Sequence, residues 1–150
     1  VRKAKTERIL LPLFVALMAF YYTGFSQFYP ELLKYQITNQ VGRDIAANNV
    51  PREAFKMYRD NFQHSLDFYS RSAPGYIGLD SSQIMPIIEE HGALWVYTDS
   101  TGYSDILNSG FNLATVKEYK RFPVQFLTFP FLSPQTREKQ LDDYYLVKIQ

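Results

Sequence analysis

The longest apolar stretch of the chain lies near its N-terminus, from Ile9 to Phe28, and contains no charged residue. A helix of that length spans roughly 30 Å, the thickness of the hydrocarbon core of a bilayer. The pattern therefore predicts a transmembrane helix, and Pro12 is close enough to its start to be tolerated. Six aromatic residues crowd its far end, as in the aromatic belt at a membrane surface: Phe20, Tyr21, Tyr22, Phe25, Phe28 and Tyr29.

The distribution of basic residues predicts the direction of this helix. Arg2, Lys3, Lys5 and Arg8 precede it, and no comparable cluster follows it. By the positive-inside rule, the N-terminus is cytoplasmic and everything after Tyr29 lies outside. We therefore expect a flank and transmembrane helix over residues 1–29, followed by an extracytoplasmic domain over residues 30–150.

Two other interpretations of the apolar stretch are weaker. A cleaved signal peptide shares the basic start and the apolar run, and Gly24-Phe25-Ser26 imitates its cleavage region. However, an initiator Met is missing and bulky aromatic residues continue through that region. A buried helix of a soluble protein would rarely lack charge over this length. Because the chain begins with Val1, we also expect it to be a piece of a longer protein.

Beyond Pro30 the pattern alternates between predicted helices and strands. Leu33, Ile37, Val41 and Ile45 recur every fourth residue and predict a helix from about Glu31 to Asn48. The remaining predicted elements follow in chain order: strand Ala54–Arg59, helix Phe62–Arg71, strand Tyr76–Leu79, a helix from Asp80 or Ser81 to His91 that ends at Gly92, buried strand Ala93–Thr98, helical turn Tyr103–Asn108, strands Asn112–Arg121 and Val124–Phe129, a loop or helical turn over Ser133–Gln140, and strand Tyr144–Ile149.

This alternation predicts the class of fold. Strand, helix, strand, helix and strand in the middle of the chain form a βαβαβ unit with a parallel sheet, and the C-terminal strands add to one edge. We therefore expect an α/β protein, in which an N-terminal transmembrane helix is followed by a small three-layer-like domain with a mixed, mainly parallel sheet. The pattern does not determine the order of the strands.

Composition excludes several classes of protein. The chain is 46% hydrophobic and 17% aromatic, which is ample for a packed core. From Pro30 onward the chain has 12 Lys and Arg residues and 14 Asp and Glu residues. We therefore do not expect the basic surface that is typical of nucleic-acid-binding proteins. The absence of cysteine excludes disulfide scaffolds, thiolate metal sites and thiol catalysis.

Motifs for catalysis are absent from the pattern. Gly75-Tyr76-Ile77-Gly78 lacks the spacing of a dinucleotide-binding loop, and no Walker A run or nucleophile elbow is present. The histidines, His64 and His91, have no further ligands at a diagnostic metal-binding spacing. Lys117, Lys120 and Arg121 form a modest basic patch that could meet phosphates, although a solvated strand face is the simpler interpretation.

Five stretches together indicate a family. FYPELLKYQ (Phe28 to Gln36) follows the last apolar span; HSLDFYSR (His64 to Arg71), ALWVYTD (Ala93 to Asp99), FPVQFLTFPFLSPQTR (Phe122 to Arg137) and YYLVKI (Tyr144 to Ile149) come after it in this order. The chain resembles the C-terminal end of bacterial integral-membrane glycosyltransferases of the dolichyl-phosphate-mannose–protein mannosyltransferase type, glycosyltransferase family 39, and among them the aminoarabinose lipid A transferase relatives.

The resemblance implies a parent enzyme with many spans in the bacterial cytoplasmic membrane, which transfers a sugar from a polyprenyl-phosphate donor to a lipid or protein acceptor. Its catalytic aspartate lies in an early outer loop, so this chain would be the non-catalytic C-terminal domain. The implied partners are the bilayer, the rest of the parent enzyme, the polyprenyl-phosphate sugar and the acceptor. We expect no cofactor here, and whether the parent uses a divalent metal stays open.

Four residues are candidates for contact with substrate or lipid under this resemblance. Tyr29, Tyr35 and Tyr69 carry rings that can meet membrane lipid or sugar. Lys34 comes at the point in the chain where a lipid phosphate would pass.

Two other functions stay open. One is a single-span, membrane-anchored module that binds a glycan or protein partner, and the other is an independent secreted hydrolase. The upstream reading frame separates the first from the transferase, because only the transferase requires about ten more hydrophobic spans there. A mature protein that begins near Gln27 would favour the hydrolase.

Overall fold

The chain folds into two compact units. A computed structural model describes residues 2–60, 64–71, 74–77, 81–123 and 127–150. The first unit covers Val1–Tyr35 and the second covers Gln36–Gln150. The predicted end of the transmembrane helix at Tyr29 concerns the membrane and stays a prediction.

The first unit is one continuous helical segment. Helix α1 (Arg2–Thr23) passes through a π-helical turn (Gly24–Phe28) into helix α2 (Tyr29–Leu33). Within it, the 26 residues Arg8–Leu33 are long and apolar enough to cross a membrane, and the side chains of their most apolar part are all exposed. The core helix of a soluble protein would be mostly buried, so by length, composition and exposure this segment suits a membrane-spanning helix or a signal sequence.

Polar groups within this helix are satisfied locally. The Thr23 hydroxyl donates to the Ala19 carbonyl at 2.9 Å, and the Ser26 hydroxyl donates to the Tyr22 carbonyl at 2.6 Å. A segment in hydrocarbon has no water to bind such groups, so hydrogen bonds one turn back let serine and threonine be accommodated there.

The second unit alternates helices and strands and then ends on two long strands. Its elements are α3 (Thr38–Ala47), β1 (Phe55–Tyr58), α4 (His64–Ser70), β2 (Gly75–Tyr76), α5 (Ile84–His91), β3 (Leu94–Asp99), α6 (Ser100–Asn108), β4 (Leu113–Arg121), α7 (Phe129–Leu132) and β5 (Asp142–Ile149), with 3₁₀ turns at Arg52–Ala54, Ser81–Gln83 and Arg137–Gln140.

The five strands form one mixed sheet in the order β2-β1-β3-β5-β4. Strands β2, β1 and β3 are parallel neighbours, whereas β5 runs antiparallel to both β3 and β4. One row across the sheet therefore consists of Tyr76, Met57, Tyr97, Leu146 and Lys117.

Helices cover both faces of the sheet, which makes three layers. On one face Ile37, which caps α3, Val41 and Ile45 of α3, and Leu66 of α4 pack in one cluster with Met57 and other side chains of the strands. On the opposite face, a second cluster includes Ile84 of α5, Ile106 of α6, and the strand residues Tyr58, Val96 and Val147. The predicted α/β class, with an N-terminal apolar helix and a mixed sheet, is confirmed.

Three predicted elements differ from the structure. The strand predicted over Tyr76–Leu79 is observed as Gly75–Tyr76, and residues 78–80 of the predictions, like residues 62–63 of the predicted helix Phe62–Arg71, lie outside the described part. The helix predicted from Glu31 to Asn48 is interrupted between Leu33 and Thr38, because Leu33 belongs to the apolar helix of the first unit while Ile37 begins the core of the second. The strand predicted over Val124–Phe129 is wrong where the structure describes it: from Phe129 the chain forms helix α7, with Pro130 in its first turn. Residues 124–126 lie outside the described part.

The reason for α7 lies in the packing of its rings. Phe131 is 2% exposed and stacks on Phe122, with 3.7 Å between ring centroids. The Thr128 carbonyl accepts from the amides of Phe131 and Leu132, at 3.1 and 3.2 Å. A helical turn thus buries Phe131, although the composition of the segment suits a strand.

Helix α3 packs tightly against α4 at Gly42. A Cβ atom there would lie 2.5 Å from the Tyr69 Cβ and 2.9 Å from the Ser70 amide nitrogen. Real carbon atoms do not approach so closely, so Gly42 permits the two helices to pack at this distance.

We expect Gly42→Ala to destabilise the second unit by about 2 kcal/mol, because the added methyl forces α3 away from α4. Unfolding of the full chain in neutral detergent, followed by near-ultraviolet circular dichroism, measures the change. Helix propensity alone predicts the opposite sign, a gain of about 1 kcal/mol for glycine to alanine. A stabilised variant would therefore contradict the packing argument.

Candidate functional site

The topology of the sheet singles out the ends of β1 and β3. The connection after β1 contains α4 on one face of the sheet, and the connection after β3 contains α6 on the other. Ligands of open α/β sheets bind in the crevice where neighbouring connections leave in this way, beyond the carboxyl ends of the strands. Arg59, Asp60 and Asp99 come at these ends.

On the α6 face, the end of β1 is tied to α6 by an acidic residue. Asp105 accepts a hydrogen bond from the Tyr58 hydroxyl at 3.2 Å, and the Arg59 Nε lies 2.8 Å from the same oxygen. Asp99 begins α6 by accepting from the Gly102 amide at 2.7 Å. Burial raises the pKa of Tyr58, and the charge of Asp105 adds to that effect.

On the α3 face, Asp60 and Arg121 form a half-buried ion pair. The Asp60 side chain is 8% exposed and lies 3.5 Å from the Arg121 guanidinium. The same guanidinium donates to the Tyr144 hydroxyl at 2.9 Å and lies over the Tyr144 ring. Tyr144 in turn stacks on Tyr97, with 5.3 Å between centroids.

Tyr97 carries the most unusual hydroxyl of this cluster. The residue is fully buried, and its hydroxyl has no hydrogen-bond partner in the described part of the chain. Burial raises the pKa of Tyr97 far above its usual value, and the charge of Asp60 acts in the same direction. The Tyr97 hydroxyl therefore stays protonated near neutral pH and can donate a hydrogen bond.

A second ion pair joins α3 to the edge strand β4. Asp44 accepts hydrogen bonds from the Lys117 ammonium and the Tyr119 hydroxyl. Burial alone would raise the pKa of Asp44, but these two hydrogen bonds and the charge of Lys117 outweigh it, so that pKa lies below its usual range. The predicted basic patch is thereby divided, since Lys117 is paired with Asp44 and Arg121 with Asp60.

Three of the four candidate contact residues lie in the first unit. Tyr29 is 49% exposed in α2, and its ring is 6.4 Å from that of Phe25. The Lys34 ammonium lies 2.5 Å from the Glu31 carboxylate, so its charge is partly compensated. The half-buried Tyr35 donates its amide to the Leu32 carbonyl at 3.1 Å and ends the helical segment.

The fourth candidate, Tyr69, lies in the second unit and lines a surface hollow between α3 and α4. We call this hollow, of about 660 Å³, the arginine groove; it is lined by Arg43, Ala46, Ala47, Phe68, Tyr69 and Arg71. Sequence reasoning selected Tyr69 but missed both arginines. The only signal for them was their position near the ends of two predicted helices, where basic residues are common for electrostatic reasons.

The histidines do not come together in a metal site. His64 begins α4, whereas His91 ends α5, with its Nε2 3.8 Å from the Glu90 carboxylate. Within the described ranges, no three His, Asp or Glu side chains are grouped as metal ligands.

Comparison with known proteins leaves the family open. No family model, no curated protein and no solved structure matches the chain.

We expect acid to weaken the contact between α3 and β4. Because the pKa of Asp44 is lowered on folding, its carboxylate stabilises the fold above its ordinary pKa of 3.8, and that contribution disappears as the pH falls below it. Asp44→Asn should therefore destabilise the chain by about 1 kcal/mol at neutral pH and by much less at about pH 3.

Unfolding in neutral detergent at both pH values measures this difference. Asp143→Asn, which removes an exposed carboxylate from β5, is the matched control and should leave the pH dependence unchanged. An equal cost of Asp44→Asn at both pH values would contradict the assigned role.

Proposed function

We propose that this chain is the last membrane span and the non-catalytic extracytoplasmic domain of a glycosyltransferase that uses a polyprenyl-phosphate sugar. Its position is the bacterial cytoplasmic membrane, with the residues after Tyr29 on the outer side. The observation that carries the membrane part is the 26-residue segment Arg8–Leu33, which is long and apolar enough to cross a membrane and whose most apolar stretch has no buried residue.

The orientation is supported by charge. Four basic residues stand before the apolar segment, whereas Lys34 is the only one in the ten positions after Phe28. Aromatic side chains gather in the second half of the helix, and the ring centroids of Tyr21 and Phe25 stand 6.2 Å apart in a stacked arrangement. Tyrosine and phenylalanine at one end of a span suit the interface between lipid tails and water.

The transferase part of the proposal is supported by the resemblance of five stretches. In the structure they begin at α2 and include α4, β3, the segment around α7 and β5, so they are distributed over both units. The physical task of the second unit would be to cover the outer side of a membrane-level cavity and to help select the acceptor. Tyr29, Lys34 and Tyr35 would contact lipid or sugar at the membrane surface.

The orientation can be tested with single cysteines, because the chain has none of its own. We expect Gln140→Cys to react with a membrane-impermeant maleimide in cells whose inner membrane is intact. Lys3→Cys should react only after that membrane is permeabilised. The reversed pattern would contradict the orientation, and labelling of both positions in intact cells would contradict the span.

The role of the membrane-surface residues can be tested in the parent enzyme. We expect Lys34→Ala combined with Tyr35→Ala to lower transfer of the sugar to the acceptor several-fold, because both side chains would hold lipid or sugar there. Lys139→Ala removes an exposed cation of the second unit and serves as the control. Unchanged transfer and acceptor affinity would remove these residues from the proposal.

The alternative, a single-span module that binds a glycan or protein partner, makes a different prediction about the gene. A transferase requires many further spans upstream, with an acidic residue in the first outer loop. A reading frame that starts just before Val1 would replace the transferase with the binding module.

A further inference from the structure

The arginine groove has the composition of an anion-binding surface. Its lining includes two arginines, Arg43 from α3 and Arg71 from the end of α4, together with Ala46 and Ala47. A second hollow of about 320 Å³ continues from it and adds Arg52. No carboxylate of the described residues lines either hollow.

Arg43 and Arg71 have no acidic partner in the described part of the chain. Arg43 lies 5.6 Å from the centre of the Tyr69 ring, a cation–π contact that orients the guanidinium without neutralising it. The neighbouring acid, Asp44, is already engaged by Lys117 and Tyr119. Two uncompensated guanidinium groups on one groove create a local positive potential that favours phosphate, which arginine can bind with two hydrogen bonds.

The helix ends by themselves do not explain these arginines. Helices α3 and α4 both end beside the hollows, and their terminal carbonyls carry a partial negative charge that favours nearby cations. However, Arg71 has a φ of 55°, in the left-handed region where glycine or asparagine is less strained. An arginine held there, with no acidic partner among the described residues and lining a groove, indicates a role for its side chain.

The third feature is an exposed aromatic ring. Phe68 is 77% exposed and lines the same groove as the two arginines. Basic side chains next to an exposed aromatic ring are typical of surfaces that rest on lipid headgroups, where the ring enters the apolar boundary and the cations meet phosphate. A site for a small soluble anion would gain nothing from a ring directed into water.

We propose that the arginine groove binds the phosphate headgroup of an anionic membrane phospholipid, with Arg43 and Arg71 on the phosphate and Phe68 against the lipid. The occupant is a lipid because the same chain carries the apolar helix Arg8–Leu33, and Arg43 follows Leu33 by only ten positions. This inference goes beyond the transferase proposal and depends only on the membrane span.

The experiment uses the full chain in a neutral detergent, titrated with phosphatidylglycerol or with phosphatidylcholine and followed by native mass spectrometry. Phosphatidylglycerol should bind more tightly than phosphatidylcholine. The double variant Arg43→Ala/Arg71→Ala should weaken its binding roughly tenfold, since each basic residue contributes to attraction of anionic lipid. Phe68→Ala should also weaken it.

The matched control is Lys120→Ala/Lys139→Ala, which removes the same charge from exposed positions on β4 and on the 3₁₀ turn Arg137–Gln140. Its binding of phosphatidylglycerol should stay within about twofold of the unchanged chain, because its charges lie outside the groove. Equal loss in both double variants would mean that net charge alone attracts the lipid, and would overturn the proposal.

Hydrogen exchange of the unchanged chain supplies a measurement that does not depend on how a variant folds. Phosphatidylglycerol should slow exchange of the amides in residues 42–52 and 64–71 and leave the edge strand β4 unaffected. No protection there would overturn the proposal. Displacement of the lipid by glycerol phosphate at equal concentration would do so as well, since the site would then be one for soluble phosphate.

These outcomes are independent of the proposed transferase. Loss of lipid binding with correct cysteine labelling would leave the span and its orientation intact. Lipid binding by a chain without upstream spans would remove the transferase and keep the groove.

Discussion

The close contact between α3 and α4 at Gly42 is the constraint on which the arrangement of the second unit depends. With no side chain at this position, the α4 backbone at Tyr69 and Ser70 packs directly on α3. The two helices can then cover one face of the sheet as a single layer. The position of this layer determines two features of the domain. It brings Asp44 to Lys117 of β4, and it brings Arg43 and Arg71 to the same groove.

Charge is distributed differently on the two sides of this layer. On the sheet side, Asp44 of α3 is paired with the partly exposed Lys117, and Asp60 beyond β1 is paired with Arg121. Facing solvent, the arginines of the groove have no acidic partner among the described residues. The contrast matters because a paired charge mainly stabilises or orients the fold, whereas an unpaired cation on a surface is available to a ligand.

The crevice at the ends of β1 and β3 lies where the topology of the sheet favours ligand binding. Its charged groups neutralise one another, and its buried tyrosines are held protonated by the lack of water. Such groups can orient a polar ligand through hydrogen bonds. The proposed roles of the apolar helix and of the arginine groove both involve a bilayer, the first through apolar side chains and the second through phosphate.

The sequence by itself determined the apolar helix, the α/β class, strands β1, β3 and β5, and the end of α5 at Gly92, whose φ of 77° suits glycine. Each of these follows from hydrophobic periodicity or backbone preference within about ten residues of the chain, so the local pattern is sufficient. Only the tertiary structure decided the order β2-β1-β3-β5-β4, the break between α2 and α3, the helical turn at Phe129, and the meeting of Arg43 with Arg71. These features depend on contacts between residues that are far apart in sequence. A local pattern does not contain the energies of such contacts, because the side chain that fills a given space comes from elsewhere in the chain.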